Sequence, residues 1–204
     1  MYLSLQSIGL KSYLDDYFFN QGFQHEIWLA TLESFVKSLS NNQKLVLKSK
    51  FSNKLSNLSK NDLLHEIMVA CAFYPKAIFN ADGGADLIDD QNHIEIKTIN
   101  ASSVEIERIK VLVPNSQRPS IPKDNQFQNR FENKFNLRFQ KATQQVKHEG
   151  IIYIVWDSDN VVGWNSRKQE IEILLKRLVE KNKINEPKII VKAIYFGDLR
   201  ELLK

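Results

Sequence analysis

The chain has 204 residues, a length that fits one domain with or without a small appendage. Apolar residues make up 43% and charged residues 25%, and Gly (7) and Pro (5) are scarce, which excludes a disordered or collagen-like chain. No apolar run approaches the roughly 18 residues of a membrane span, and the first residues lack the pattern of a secretory signal. A single cysteine, Cys71, can form neither an internal disulfide nor a thiolate zinc site, so we expect a cytoplasmic protein.

The net charge of +4 is unevenly distributed along the sequence. Residues 60–100 carry a net charge of −4, whereas residues 101–150 carry +4. Acidic side chains bind cations and basic side chains attract polyanions, so this pattern is typical of a metal centre beside a polyanion-binding surface. A chance distribution is the alternative, because charge sums of this size are common in ordinary proteins.

The first part of the sequence predicts mostly helix. Apolar spacing indicates one helix over His25–Leu39, and a second helix is predicted over Gln43–Phe51. Ser59 suits the N-cap of a further helix, with Asp62 completing a pair that resembles a capping box. The buried stripe of that helix is predicted to contain Leu63, Leu64, Ile67, Met68 and Cys71. We therefore expect an N-terminal helical extension over residues 1–58, followed by the main domain over residues 59–204.

Three short strands are predicted next, over Ala77–Asn80, Ala85–Ile88 and His93–Ile99. The turn between the first two contains Gly83 and Gly84, and glycine accepts the positive φ angles that tight turns require. Alternation along the third strand places Glu95 and Lys97 on one face.

The remainder alternates helices and strands after a long irregular connection over residues 100–127, in which Val104–Val113 is a candidate strand. The predicted elements that follow are a helix over residues 128–148, a strand over Ile151–Trp156, a helix over Ser166–Lys183, a strand over Lys188–Phe196 and a short helix over Asp198–Leu203. Strands that first form hairpins and later arrive through helical crossovers predict an α/β fold, with a central mixed β-sheet flanked by helices.

Three carboxylates and one lysine fall on elements that are predicted to pack side by side: Glu66, Asp86, Glu95 and Lys97. Asp86 and Glu95 come from adjacent strands, and Glu66 comes from the helix that covers them. Hard oxygen ligands suit Mg²⁺ or Mn²⁺, and a nearby lysine can orient or deprotonate a water molecule. A metal ion with such a lysine is a suitable device for phosphodiester hydrolysis. The alternative is a solvated hairpin whose charges face water.

These residues resemble the motif of the PD-(D/E)XK nuclease superfamily, which includes many restriction endonucleases. Glu66, the run Gly84-Ala85-Asp86 and the run Ile94-Glu95-Ile96-Lys97 carry the resemblance, which covers roughly residues 60–156. It implies a restriction-endonuclease-like core in which Asp86 and Glu95 bind the metal, Lys97 positions the attacking water and Glu66 completes the metal site. The sequence departs from the motif at Ala85, where the family often has Pro.

The helix predicted over residues 128–148 carries a second group of polar side chains. Its apolar side is predicted to contain Phe131, Phe135, Phe139, Ala142 and Val146. Its candidate nucleic-acid-binding residues are Arg130, Lys134, Arg138, Gln140, Lys141 and Gln144. Basic groups neutralise phosphates, and amides bond to the nucleic-acid backbone or to base edges. In the resembled family, amide and lysine side chains of this helix approach the active site. The alternative is the ordinary polar face of an amphipathic helix.

The sequence therefore predicts a cytoplasmic, Mg²⁺-dependent DNA endonuclease, with Mn²⁺ as a substitute metal. Cutting both DNA strands requires two active sites, so we expect a homodimer, and a cognate methyltransferase is an open partner. The alternatives are a structure-specific repair or recombination nuclease on the same core, a non-catalytic nucleic-acid-binding module, and an interaction domain that binds no nucleic acid. The recognition sequence cannot be inferred, because no helix–turn–helix or zinc-finger pattern is present.

Overall fold

The structure is a computed structural model that describes residues 3–21, 25–52, 57–73, 75–80, 84–89, 92–99, 124–156 and 167–195. The described residues divide into two compact units, one ending at Ile96 and the other beginning at Lys97. The boundary that the sequence suggests between residues 58 and 59 stays a prediction.

The first unit begins with five helices: α1 (Leu3–Ser7), α2 (Leu10–Gln21), α3 (His25–Ser38), α4 (Asn41–Ser52) and α5 (Asn57–Phe73). Ser40 caps α4, because its Oγ accepts a hydrogen bond from the Gln43 main-chain N–H at 3.2 Å. Helix α5 begins at Asn57, so Ser59 lies in its first turn and the helix starts three residues earlier than an N-cap at Ser59 would require. The helices predicted over His25–Leu39 and Gln43–Phe51 correspond to α3 and α4.

The first unit also contains the short strands β1 (Ile78–Phe79) and β2 (Leu87–Ile88), which pair antiparallel. Strand β2 pairs antiparallel with β3 (His93–Ile99), with Leu87 opposite Ile94. Both β1 and β2 are shorter than predicted. The division into units falls within β3, whose last three residues belong to the second unit.

The second unit continues with α6 (Asp124–Gln145), β4 (Gly150–Trp156), α7 (Lys168–Asn185) and β5 (Ile189–Tyr195). Helix α6 ends three residues before the predicted boundary, because Lys147 and His148 adopt left-handed backbone angles (φ 53° and 62°) that end a right-handed helix. Strands β4 and β5 pair in parallel over seven residues, and α7 connects them. The candidate strand over Val104–Val113 and the terminal helix over Asp198–Leu203 lie outside the described residues.

The strands of the described residues form one five-stranded sheet in the order β1-β2-β3-β4-β5, antiparallel at the start and parallel at the end. The expected mixed α/β architecture with a helix-flanked sheet is therefore confirmed. Its core includes the fully buried stretch Ile152–Trp156 of β4, whereas most residues of β5 are exposed or half-buried. None of the described helices is long and apolar enough to cross a membrane.

Candidate functional site

Main-chain hydrogen bonds fix the carboxylates of Asp86, which lies just before β2, and of Glu95 on β3, the two residues that the sequence singles out. The main-chain N–H of Asp86 donates to Oε2 of Glu95 at 3.1 Å, and the main-chain N–H of Ile96 donates to Oδ2 of Asp86 at 3.0 Å. Asp86 and Glu95 are the next residues after the paired Leu87 and Ile94, one position further along the β2–β3 ladder. Hydrogen bonds to main-chain N–H groups satisfy carboxylates in a place with little water. Glu95 is fully buried and Asp86 is half-buried.

The third carboxylate, Glu66 of α5, is joined to Asp86 through the ammonium group of Lys50. Lys50 Nζ lies 3.1 Å from Oε2 of Glu66 and 3.3 Å from Oδ1 of Asp86. The side chains of Glu66 and Asp86 are only 10% and 13% exposed, so water screens these ion pairs weakly. The structure thus brings all three predicted carboxylates into one chain of contacts within the first unit.

Lys50 is the residue of this cluster that sequence reasoning missed. Burial lowers the pKa of Lys50, but the negative charges of Glu66 and Asp86 and the hydrogen bonds to them raise it further, so that its pKa lies above the ordinary value. The ammonium group is therefore charged at neutral pH and supplies positive charge to the cluster.

Helix α4 presents Lys50 to the cluster because its neighbouring face is anchored on β1. The side chain of Gln43 donates to the main-chain carbonyl of Phe79 at 2.9 Å and accepts from the Phe79 N–H at 2.7 Å. Leu47 and Phe51 follow Gln43 at intervals of four residues and are buried on the same face. Lys50 lies beside this face, with its Nζ 5.9 Å from the centre of the Phe79 ring. The signal for it in the sequence is weak: a lysine one position before a buried phenylalanine.

Lys97 lies on β3, two residues after Glu95, and is half-buried. Alternate residues of a strand point to the same side of the sheet, so Lys97 shares a side of β3 with Glu95. It is also the first residue of the second unit.

The cluster offers carboxylate oxygens, which are the ligands that Mg²⁺ prefers, and it is arranged around a positive charge. Glu66, Asp86 and Glu95 therefore have the chemistry of a divalent-cation site. In the described part of the chain, however, no group of three or more His, Cys, Asp or Glu side chains has the arrangement of a ready metal site. Glu66 and Asp86 both contact the ammonium group of Lys50.

The candidate nucleic-acid-binding residues form a surface of α6, in the second unit. Arg130, Gln140, Lys141 and Gln144 are exposed, and Lys134 and Arg138 are half-buried. At 100° per residue the four basic residues fall within one quarter of the helix circumference, and the two amides lie on an adjacent quarter. Leu137, which is 60% exposed, falls between the two groups.

The opposite side of α6 is the apolar stripe predicted from the sequence. Its five predicted members, Phe131, Phe135, Phe139, Ala142 and Val146, are all buried. The rings of Phe135 and Phe139 stack with their centres 6.0 Å apart. This packing fixes the rotation of the helix and so determines that its basic residues face outward.

Comparisons with protein-family models, with curated proteins and with solved structures find no match to this chain.

Proposed function

We propose that this protein is a Mg²⁺-dependent DNA endonuclease that hydrolyses phosphodiester bonds, with Mn²⁺ as a substitute metal. The observation that carries the proposal is the hydrogen bond from the main-chain N–H of Asp86, just before β2, to the carboxylate of Glu95 on β3, with the Asp86 carboxylate joined through one ammonium group to Glu66. Concentrating three carboxylates in a poorly hydrated place costs free energy, which a fold recovers when a cation binds there. The resemblance of these residues to the PD-(D/E)XK motif supports the same function and a restriction-endonuclease-like core.

In this proposal Asp86, Glu95 and Glu66 hold the metal ion. Bound Mg²⁺ supplies positive charge to the phosphoryl oxygens and lowers the pKa of a coordinated water. The hydrogen bond from the Ile96 N–H fixes Oδ2 of the Asp86 carboxylate, while its other oxygen, Oδ1, contacts Lys50 Nζ. Lys97 binds and orients the attacking water from the same side of β3 as Glu95.

The exposed basic and amide residues of α6 would bind the DNA backbone. A homodimer would supply the second active site needed to cut both strands. A cognate methyltransferase would accompany it if the enzyme belongs to a restriction–modification pair. The protein would act in the cytoplasm, a reducing environment that suits a chain with a single cysteine.

The test is incubation of the purified protein with supercoiled plasmid and Mg²⁺. Asp86→Asn and Lys97→Met should each lower the cleavage rate by at least about a hundredfold, as expected for loss of a metal ligand or a proton-transfer group. The matched controls are Asp89→Asn, in the turn with Asn92, and Lys76→Met, which is exposed before β1. Cleavage that survives Asp86→Asn, or no cleavage by the wild type with Mg²⁺ or Mn²⁺, contradicts the proposal.

The same assay separates the related nuclease function. Rapid cleavage of a defined linear duplex favours a restriction-type enzyme. Cleavage confined to junctions, flaps or single strands favours a structure-specific repair or recombination nuclease.

The Lys50 contacts favour a second candidate function, a non-catalytic nucleic-acid-binding module. An ammonium group that bridges Glu66 and Asp86 and offsets part of their negative charge is consistent with a structural role of the cluster that requires no metal. Such a module would bind DNA with the same affinity in Mg²⁺, Ca²⁺ or EDTA and would leave it intact. A nuclease would bind DNA in Ca²⁺ and cut it only in Mg²⁺ or Mn²⁺.

A further inference from the structure

Lys50 contacts the oxygens that a metal ion would use. One oxygen of Asp86, Oδ2, accepts the Ile96 N–H, and the other, Oδ1, contacts Lys50 Nζ. Lys50 Nζ also contacts Oε2 of Glu66. Mg²⁺ binds carboxylate oxygens at about 2.0–2.1 Å, far closer than the contacts of an ammonium group, so the two cations compete for the same space and the same charge.

The position of Lys50 is built into the fold. Gln43 anchors α4 on β1 through two buried hydrogen bonds, and Leu47 and Phe51 bury the same face of the helix. The side chain of Lys50 leaves this anchored helix beside the ring of Phe79 and is only 24% exposed. Its contacts bridge residues 16 and 36 positions away in the sequence, so they exist only in the folded protein.

We propose that Lys50 is a resident counter-ion of the carboxylate cluster, which offsets part of the negative charge of Glu66 and Asp86 when no metal is present and weakens the binding of divalent cations to them. This inference rests on the metal site of the proposed function. Lys50 is a positioning residue: it keeps two mutually repelling carboxylates together, and it makes the site selective for cations that bind strongly enough to displace it. The affinity of the site for Mg²⁺ is thus set partly by a residue that does not touch the metal.

The test compares wild-type protein with Lys50→Met, which keeps the length and apolar body of the side chain and removes its charge. Lys48→Met, exposed on the same helix, is the matched control. Metal binding is measured by titration calorimetry with Ca²⁺ and with Mn²⁺, without nucleic acid. Thermal melting is measured in EDTA and with each metal. Lys50→Met should bind each metal at least about tenfold more tightly, since a nearby charge changes such equilibria by one to three powers of ten.

Melting gives an independent readout. In EDTA, Lys50→Met should melt below the wild type, because Glu66 and Asp86 then lose the positive charge of Lys50. Addition of metal should raise its melting temperature more than that of the wild type. Lys50→Gln, which can still donate a hydrogen bond to either carboxylate, provides a second variant in case Lys50→Met does not fold in EDTA.

The possible results separate this inference from the proposed function. Metal affinity and metal-induced stabilisation equal to or weaker than those of the wild type in both Lys50 variants would overturn the counter-ion role, whether or not the wild type cuts DNA. Tight metal binding by a Lys50 variant and none by the wild type would support that role and argue against the nuclease. No metal binding by any of the proteins would overturn both.

Discussion

The side-chain amide of Gln43 forms with the main chain of Phe79 the pair of hydrogen bonds that a residue of a neighbouring strand would form. The amide donates to the Phe79 carbonyl at 2.9 Å and accepts from the Phe79 N–H at 2.7 Å. Strand β1 is the first strand in the sheet order, so a helix side chain here serves as the hydrogen-bonding partner of the strand main chain. This contact joins α4 to the sheet and thereby places Lys50 at the carboxylates.

Replacing Gln43 should destabilise the first unit. Gln43→Ala leaves a buried N–H and a buried carbonyl of Phe79 without these bonds, at a cost of about 2–3 kcal/mol in the free energy of unfolding. Urea unfolding measures this cost, with Asn42→Ala, exposed on the same helix, as the control. A loss no larger than that of the control would show that the amide contact contributes little.

Glu33 should make the stability of the N-terminal helices depend on pH. Burial raises the pKa of Glu33, but hydrogen bonds from the main-chain N–H groups of Leu5 and Ser4 at the start of α1 lower it further, and the net pKa lies below the ordinary 4.5. A lowered pKa stabilises the fold above about pH 4.5, and this contribution is lost as the pH falls through the folded-state pKa.

Thermal melting of the wild type and of Glu33→Gln from pH 7 to pH 3 tests this expectation. The variant should melt lower at pH 7, and the difference should shrink toward pH 3. Glu180→Gln, on the exposed surface of α7, is the control. A difference that stays constant over the whole range would mean that the charge of Glu33 has no part in it.

Cys71 should be a slow nucleophile. Burial raises the pKa of its thiol from 9.0 to about 11, so that only about one thiol in a thousand is ionised at pH 8. Reaction with a chromogenic disulfide at pH 8 should therefore be about a hundredfold faster in urea-unfolded protein than in folded protein. The raised pKa also predicts that stability decreases as the pH rises from 9 to 11. Equal rates in folded and unfolded protein would contradict this prediction.

The exposed basic residues of α6 should account for part of any DNA binding. The double variant Arg130→Gln, Lys141→Gln should bind a short duplex in Ca²⁺ more weakly. The slope of the logarithm of its binding constant against the logarithm of salt concentration should be smaller by up to about two. The control is Lys176→Gln, Lys183→Gln, which removes the same charge from exposed positions of α7. If both double variants lose affinity equally, the α6 surface is not the binding site.

The sequence predicted the order of helices and strands well, because that order depends on local pattern. The continuous apolar run of β4 and the phenylalanine spacing of α6 both mark their elements without reference to the rest of the chain. The bounds of α6 were less accurate: the helix begins at Asp124, four residues before the predicted start. It ends where the backbone changes hand, at Lys147 and His148, and neither is the glycine usually found there.

Within the candidate site, the sequence predicted the carboxylates and missed the lysine that joins them. Asp86 and Glu95 belong to a hairpin, where neighbours in the sequence are neighbours in space. Lys50 belongs to a helix whose approach is determined by Gln43 and Phe79, 36 positions apart. Such a contact depends on tertiary packing, which the spacing of residues in one segment does not encode.

The parallel ladder of the second unit has a consequence for the way the chain acquires its structure. Each pair of facing residues, from Gly150 with Ile189 to Trp156 with Tyr195, is 39 positions apart, so closing the ladder costs a large amount of chain entropy. Before β5 arrives, the apolar stretch Ile151–Trp156 is a ready template for pairing with another molecule. This part of the protein is therefore most prone to aggregate when many newly made chains are close together.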